Sequence, residues 1–121
     1  MFKASQARRQ YWDWLEATVL AMDQPVVLVG DLNADPSRER RVGGVHLARL
    51  SMRGWTIATP TDGWSFIGKT GHTARIDHGI DSGHFRIEQS EYVVEAAGFT
   101  FAGIREYSDH AVLCVDISKA S

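Results

Sequence analysis

Three short stretches of this chain each set polar, chemically capable residues beside an apolar run: Gly30-Asp31-Leu32-Asn33, Arg75-Ile76-Asp77-His78 and Ser108-Asp109-His110. The first follows Val26-Val27-Leu28-Val29, which is how a buried strand opening into a polar loop is written. Asp31 and Asn33 stand two residues apart and can address one ligand, and each can also cap its own loop through local hydrogen bonds. The last stretch sits immediately before the final apolar run, residues 111–117. If the strands after and before these loops are antiparallel neighbours, Asp31, Asn33, Asp109 and His110 reach one rim. Carboxylates, an amide and an imidazole gathered there could hold a divalent cation and work on a phosphate.

The elements that must position these groups follow from periodicity. Over residues 5–22, Ala7, Tyr11, Trp14, Leu15, Thr18 and Met22 recur at three- and four-residue steps, so a helix is expected with that stripe facing the core. Trp12 and Trp14 cannot both face one core on such a helix. Asp35-Pro36 reads as an N-cap followed by proline, leading into a charged turn or short helix, SRERR. Val45, Ala48, Leu50 and Met52 suggest a second helix with Gly54 as its C-cap, and His46 within it reads as ordinary surface. Residues 55–58, 64–67, 75–80 and 85–94 are strand candidates. The run 111–117 suits a central strand buried on both faces, which makes the single cysteine, Cys114, a core residue. His72, His78 and His84 make no zinc pattern and read as surface or loop residues, while Trp64 and Phe66 could line a substrate cleft but read rather as core. Helices alternating with strands early and strands thereafter give a mixed α/β or α+β layered fold.

Composition bounds the rest. With 121 residues, the chain has room for one modest domain. A hydrophobic share of 44% and a charged share of 23% are those of a folded globular protein. Thirteen basic against fifteen acidic residues, net −2, argue against a long basic nucleic-acid track but not against a short or metal-bridged phosphate ligand. One cysteine permits no internal disulfide, and no apolar run has the length of a signal core or membrane span, so a cytoplasmic location is expected.

In order and spacing, the three stretches resemble the motifs of the endonuclease/exonuclease/phosphatase superfamily. These metal-dependent phosphoesterases include deoxyribonucleases, abasic-site endonucleases, sphingomyelinases and inositol-phosphate phosphatases. The Gly-Asp-Phe/Leu-Asn motif is matched by Gly30-Asp31-Leu32-Asn33, Arg-Ile-Asp-Tyr/His by Arg75-Ile76-Asp77-His78, and Ser-Asp-His by Ser108-Asp109-His110; Ser65-Phe66 precedes the second. The resemblance covers nearly the whole chain but only the C-terminal half of the family's domain. It implies a four-layer α/β sandwich with two mainly antiparallel sheets, of which residues 1–121 are a partial domain. It assigns Asp31 to orienting or deprotonating the attacking water and Asn33 to hydrogen bonding with the phosphate or that water. His110 stabilises the pentavalent phosphate, Asp77 pairs with its imidazole, and Mg2+ (or Mn2+) is held by Asp31, Asn33 and Asp109. A carboxylate beside an imidazole favours its charged form, which suits charge developing on equatorial phosphate oxygens.

The family's first half carries an early asparagine, a metal-binding glutamate and a histidine that cannot be placed here; Glu16 and Glu39 do not substitute for the glutamate. The expectation is a chain whose apolar sheet surface lacks a partner, and which self-associates or docks with a complementing N-terminal half. Two functional readings stand: a phosphodiester or phosphomonoester hydrolase, impaired alone, with nucleic acid among its candidate substrates; or a non-catalytic binding or scaffolding module with the same fold.

Overall fold

The computed structural model describes residues 4–36 and 42–119, so the charged SRERR turn lies outside the described residues. Helix α1 (Ala4–Leu20) leads to strand β1 (Val27–Asp31), helix α2 (Val42–Met52) and strand β2 (Thr56–Ala58). A hairpin of β3 (Phe66–Ile67) and β4 (Thr73–Ala74) precedes β5 (Asp77–Asp81). The long β6 (Phe85–Val93), a small hairpin of β7 (Glu95–Ala96) and β8 (Phe99–Thr100), and β9 (Val112–Lys119) complete the order. The fold is mixed α/β with several antiparallel sheets and no closed barrel among the described residues.

The central sheet has the order β1-β5-β2, with both pairings antiparallel. Both helices contribute to the core: Trp12, Leu15 and Val19 of α1 and Leu47 and Leu50 of α2 cluster with Ile80 of β5, and Leu28 and Ile57 pack against them. Successive strand residues point to opposite faces, so Ile80 and His78 share the face turned to the helices, while Asp77 and Gly79 share the other. On that second face β9 approaches so closely that a Cβ at Gly79 would lie 3.5 Å from Val115. α2 ends as expected at Gly54, with φ +90. The N–H of Trp55 donates to the carbonyl of Leu50 and that of Gly54 to Ser51, the paired bonds of a Schellman cap.

The stripe expected on α1 is turned. Trp12 is fully buried, whereas Tyr11, Trp14 and Met22 are exposed. The cause lies in α2: a Cβ at Gly43 would stand 3.0 Å from Trp12 Nε1 and 2.3 Å from Ala34 Cβ, so only glycine lets the indole, the loop after β1 and α2 meet. His46 is likewise buried rather than surface. Its ring stacks on Trp12 at 5.5 Å, and its Nδ1 lies 3.1 Å from Glu16 Oε2. Arg49 Nε donates to the other Glu16 oxygen at 3.0 Å, so Glu16 is committed to the interface between the helices.

The final strand also departs from expectation. Among the described residues β9 pairs only with β6, in a two-stranded sheet that is covered on one face, and its residues alternate between half-buried and exposed along Val112 to Val115. Leu113 and Val115 turn inward while Val112 and Cys114 turn outward, so Cys114 is exposed rather than core. No helix among the described residues is long and apolar enough to cross a membrane.

Candidate active site

Asp31, Asp77 and His110 each offer a ligand atom, all within 4.8 Å of one another. The route to this meeting differs from the one expected, because β1 is not a neighbour of β9. Instead β1 pairs with β5 in a register that sets Asp31 directly across from Asp77. His110 arrives from a third direction. Phe66 and His110 form an isolated antiparallel bridge, with Ile67 N–H donating to Asp109 O (3.0 Å) and Ala111 N–H to Ser65 O (2.8 Å). Ser108 tightens the approach, accepting the His110 N–H at 3.0 Å through its own hydroxyl.

Each polar group is then oriented by a specific neighbour. Asn33 adopts a left-handed backbone, φ 53, and its N–H donates to Asp31 Oδ1 at 2.9 Å. The local capping bond open to Asp31 is therefore made, but by one oxygen only. The other, Oδ2, faces His110 Nε2 at 3.8 Å. On the far side of the ring, Nδ1 lies 3.3 Å from Asp77 Oδ1. Asp109 is more peripheral: its Oδ1 is 4.0 Å from His110 Nε2 and its side chain is largely exposed. Asn33 joins the cluster through its backbone, and Asp109 flanks it without entering the 4.8 Å group.

Burial pushes the Asp77 carboxyl above its ordinary value, the negative charge of Asp31 pushes it further, and His110 opposes both. Two carboxylates facing each other across adjacent strands thus concentrate negative charge that a cation would relieve. Tyr92 of β6 donates its hydroxyl to the Asp77 carbonyl at 2.7 Å and braces this residue from behind; burial chiefly pushes the phenol up to about 12.

Two supporting residues have more weight than their types suggested. Ser65 is fully buried, and its Oγ accepts the N–H of Ile76 (2.7 Å) and of Asp77 (3.2 Å). The only sequence signal for it is its place before Phe66, whose ring lies 5.4 Å from that of His110. His78 is fully buried, contrary to its reading as surface, because β-strand alternation turns it away from Asp77 and beneath the helices. Its Nε2 donates to Ala34 O and its Nδ1 lies 2.9 Å from the Thr59 hydroxyl, joining the loops that follow β1 and β2.

Burial holds His78 below the usual imidazole range. The unfolded chain takes up a proton near pH ~6.5 while the native ring resists it, so the unfolded state binds more protons and stability falls as pH drops below ~6.5. Asp77 has the opposite sign: its raised native value favours the fold as pH falls towards the ordinary carboxyl range. The denaturation midpoint is expected to fall between pH 7 and pH 5, and His78→Gln to flatten that slope. Equal slopes for the two proteins in urea titrations would contradict the assignment.

A search of curated proteins finds no match to this chain. Residues 2–110 match the Endonuclease/Exonuclease/phosphatase family, an interval that contains all three polar stretches and every member of the cluster. With most of its length matched and these side chains drawn to one rim, the chain belongs to the endonuclease/exonuclease/phosphatase family, whose domain is that of phosphoesterase-type hydrolases.

Proposed function

We propose that this chain is a metal-dependent phosphoesterase domain that hydrolyses a phosphodiester or phosphomonoester at the Asp31, Asp77 and His110 cluster. The observation that carries this reading is the approach of two carboxylates and an imidazole to within 4.8 Å, each held by a different segment of the fold. Asp31, with one oxygen engaged by the Asn33 N–H and the other towards the cluster, is suited to orient or deprotonate water. His110 faces the reacting phosphate with Nε2, and Asp77 holds the ring from Nδ1 and fixes its orientation. Asn33 is the hydrogen-bond donor to the phosphate or to that water.

The donor set fits a hard divalent cation. Asp31 and Asp109 present solvent-accessible carboxylates on the Nε2 side of His110, and the charge crowding felt by Asp77 favours a positive neighbour. Mg2+ or Mn2+ would be held by Asp31, Asn33 and Asp109, where it would supply neutralisation of the phosphate oxygens. Glu16, engaged by His46 and Arg49, supplies no further ligand.

Residues 1–121 are proposed to form a partial domain that self-associates or docks with a complementing N-terminal half. Exposed Val29 on the edge strand β1, and Val112 and Ile117 on β9, support this.

The test is hydrolysis of bis(p-nitrophenyl) phosphate and p-nitrophenyl phosphate at high protein concentration. Turnover is expected with Mg2+ or Mn2+ and is expected to disappear on chelation. Turnover that persists in chelator would refute metal dependence, and silence on both substrates, with a complementing half supplied, would favour the binding-module reading.

A further inference from the structure

Asp77 opens β5 in the central sheet, whereas His110 precedes β9, which belongs with β6 to a second sheet. The 3.3 Å contact between Asp77 Oδ1 and His110 Nδ1 therefore depends on how the two sheets are held together. Tyr92 reaches both. Its hydroxyl donates to the Asp77 carbonyl at 2.7 Å, and its main chain lies in register with Leu113 of β9, shortly after His110. The Asp77 N–H goes to Ser65 Oγ at 3.2 Å, so both main-chain groups of Asp77 are engaged by side chains from outside β5. Rotation of the backbone at Asp77 would break one of these bonds, and the direction of the carboxylate follows from that backbone. A phenol pushed up to about 12, chiefly by burial, keeps its proton through the range in which a hydrolase works, so Tyr92 stays a donor throughout.

An irregularity in β6 aims this residue. Phe85 and Ile87 turn inward while Arg86 and Glu88 turn out, an alternation that would send Tyr92 outward with them. The ladder to β9 shifts between Ile87 and Gln89 and leaves Glu88 out of register. Glu88 and Gln89 are consequently both exposed, and the inward phase passes to Ser90 and Tyr92. The bulge is what brings the hydroxyl to Asp77.

We infer that Tyr92 is a positioning residue for the Asp77 and His110 pair: its hydroxyl fixes the Asp77 main chain while its strand holds the segment that follows His110, so that the carboxylate meets Nδ1. Tyr92 acts on turnover only through Asp77. The inference rests on the phosphoesterase reading for that effect on turnover, but not for the geometry of the pair.

Tyr92→Phe keeps the ring and removes the hydroxyl. With Mn2+ and bis(p-nitrophenyl) phosphate, kcat of the full chain is expected to fall about tenfold, the size of one hydrogen bond expressed in the barrier, with KM unchanged. In an Asp77→Asn background the same change should cost less than about twofold, because the group that Tyr92 positions no longer fixes the ring. The metal-free protein gives a second readout. At about pH 9, where an imidazole is neutral, nitrogen NMR of His110 should show the Nδ1–H form in the wild type, with Asp77 as acceptor, and a shift towards the Nε2–H form in Tyr92→Phe. Ile87→Ala, on the far side of the bulge, controls for loosening of the second sheet: it should lower the denaturation midpoint while kcat and tautomer stay as in the wild type. Wild-type kcat and tautomer in folded Tyr92→Phe, a loss confined to KM, a loss additive with Asp77→Asn, or an equal loss in Ile87→Ala would overturn the assignment. Wild-type turnover together with an unmoved tautomer in Tyr92→Phe would remove the role of Tyr92 and leave the phosphoesterase. A tautomer shift confined to Tyr92→Phe, in a protein that hydrolyses neither bis(p-nitrophenyl) phosphate nor p-nitrophenyl phosphate, would keep the role of Tyr92 in the pair and remove the phosphoesterase.

Discussion

Replacing His110 with alanine is expected to lower metal-dependent turnover by about 10²–10³-fold, the loss typical of deleting one group aimed at developing charge. Asp31→Asn should fall in a similar range, because the amide keeps the shape and the contact with the Asn33 N–H but cannot accept a proton. Both side chains are partly open to solvent, so neither change should unfold the protein. The measurement is kcat at saturating bis(p-nitrophenyl) phosphate, with circular dichroism to show an intact fold. Full turnover in either variant would mean that the cluster is not where the bond breaks. A loss confined to KM would instead give that residue a role in binding that is uniform between ground and transition states.

The difference between what the residues announced and what they concealed follows from the range of the forces involved. The three motifs that carry Asp31, Asp77 and His110, the side chains found together, could be picked out of the sequence because each motif is local, and β1, β5 and α2 could be approximated for the same reason. Strand adjacency is not local. The Asp31 to Asp77 register depends on how β1 and β5 share a helix-covered core, and the meeting with His110 depends on a single bridge at Phe66. The errors on α1 have the same origin. Periodicity offered the stripe containing Trp14 and showed only that Trp12 could not share its core, whereas Gly43 and Ala34, on separate segments, make the room that buries Trp12 instead. His78 was concealed because the absence of a zinc pattern with His72 and His84 left it reading as surface or loop, whereas alternation along β5 sends it to the face opposite Asp77 and buries it.

Ser65→Ala should unfold the protein more readily and also disarm the cluster, because one hydroxyl serves both ends. The buried Oγ is the acceptor for the N–H groups of Ile76 and Asp77, where the chain enters β5. Removing it strands two donors in a site without solvent, at about 1–3 kcal/mol each. A midpoint drop on the order of 10 °C or more is expected for a domain of this size. The same backbone carries Asp77, whose carboxylate fixes the His110 ring at 3.3 Å, and the carbonyl of Ser65 accepts the Ala111 N–H next to that histidine. A shift in either chain segment separates Asp77 from His110. Below the lowered midpoint, where the variant is fully folded, kcat should therefore still be reduced while KM for a small phosphodiester changes little. Thermal denaturation and steady-state kinetics at 15 °C separate the two effects. A variant that loses stability but keeps wild-type kcat when folded would restrict Ser65 to holding the hairpin, and one with an unchanged midpoint would show that these two backbone groups find other partners.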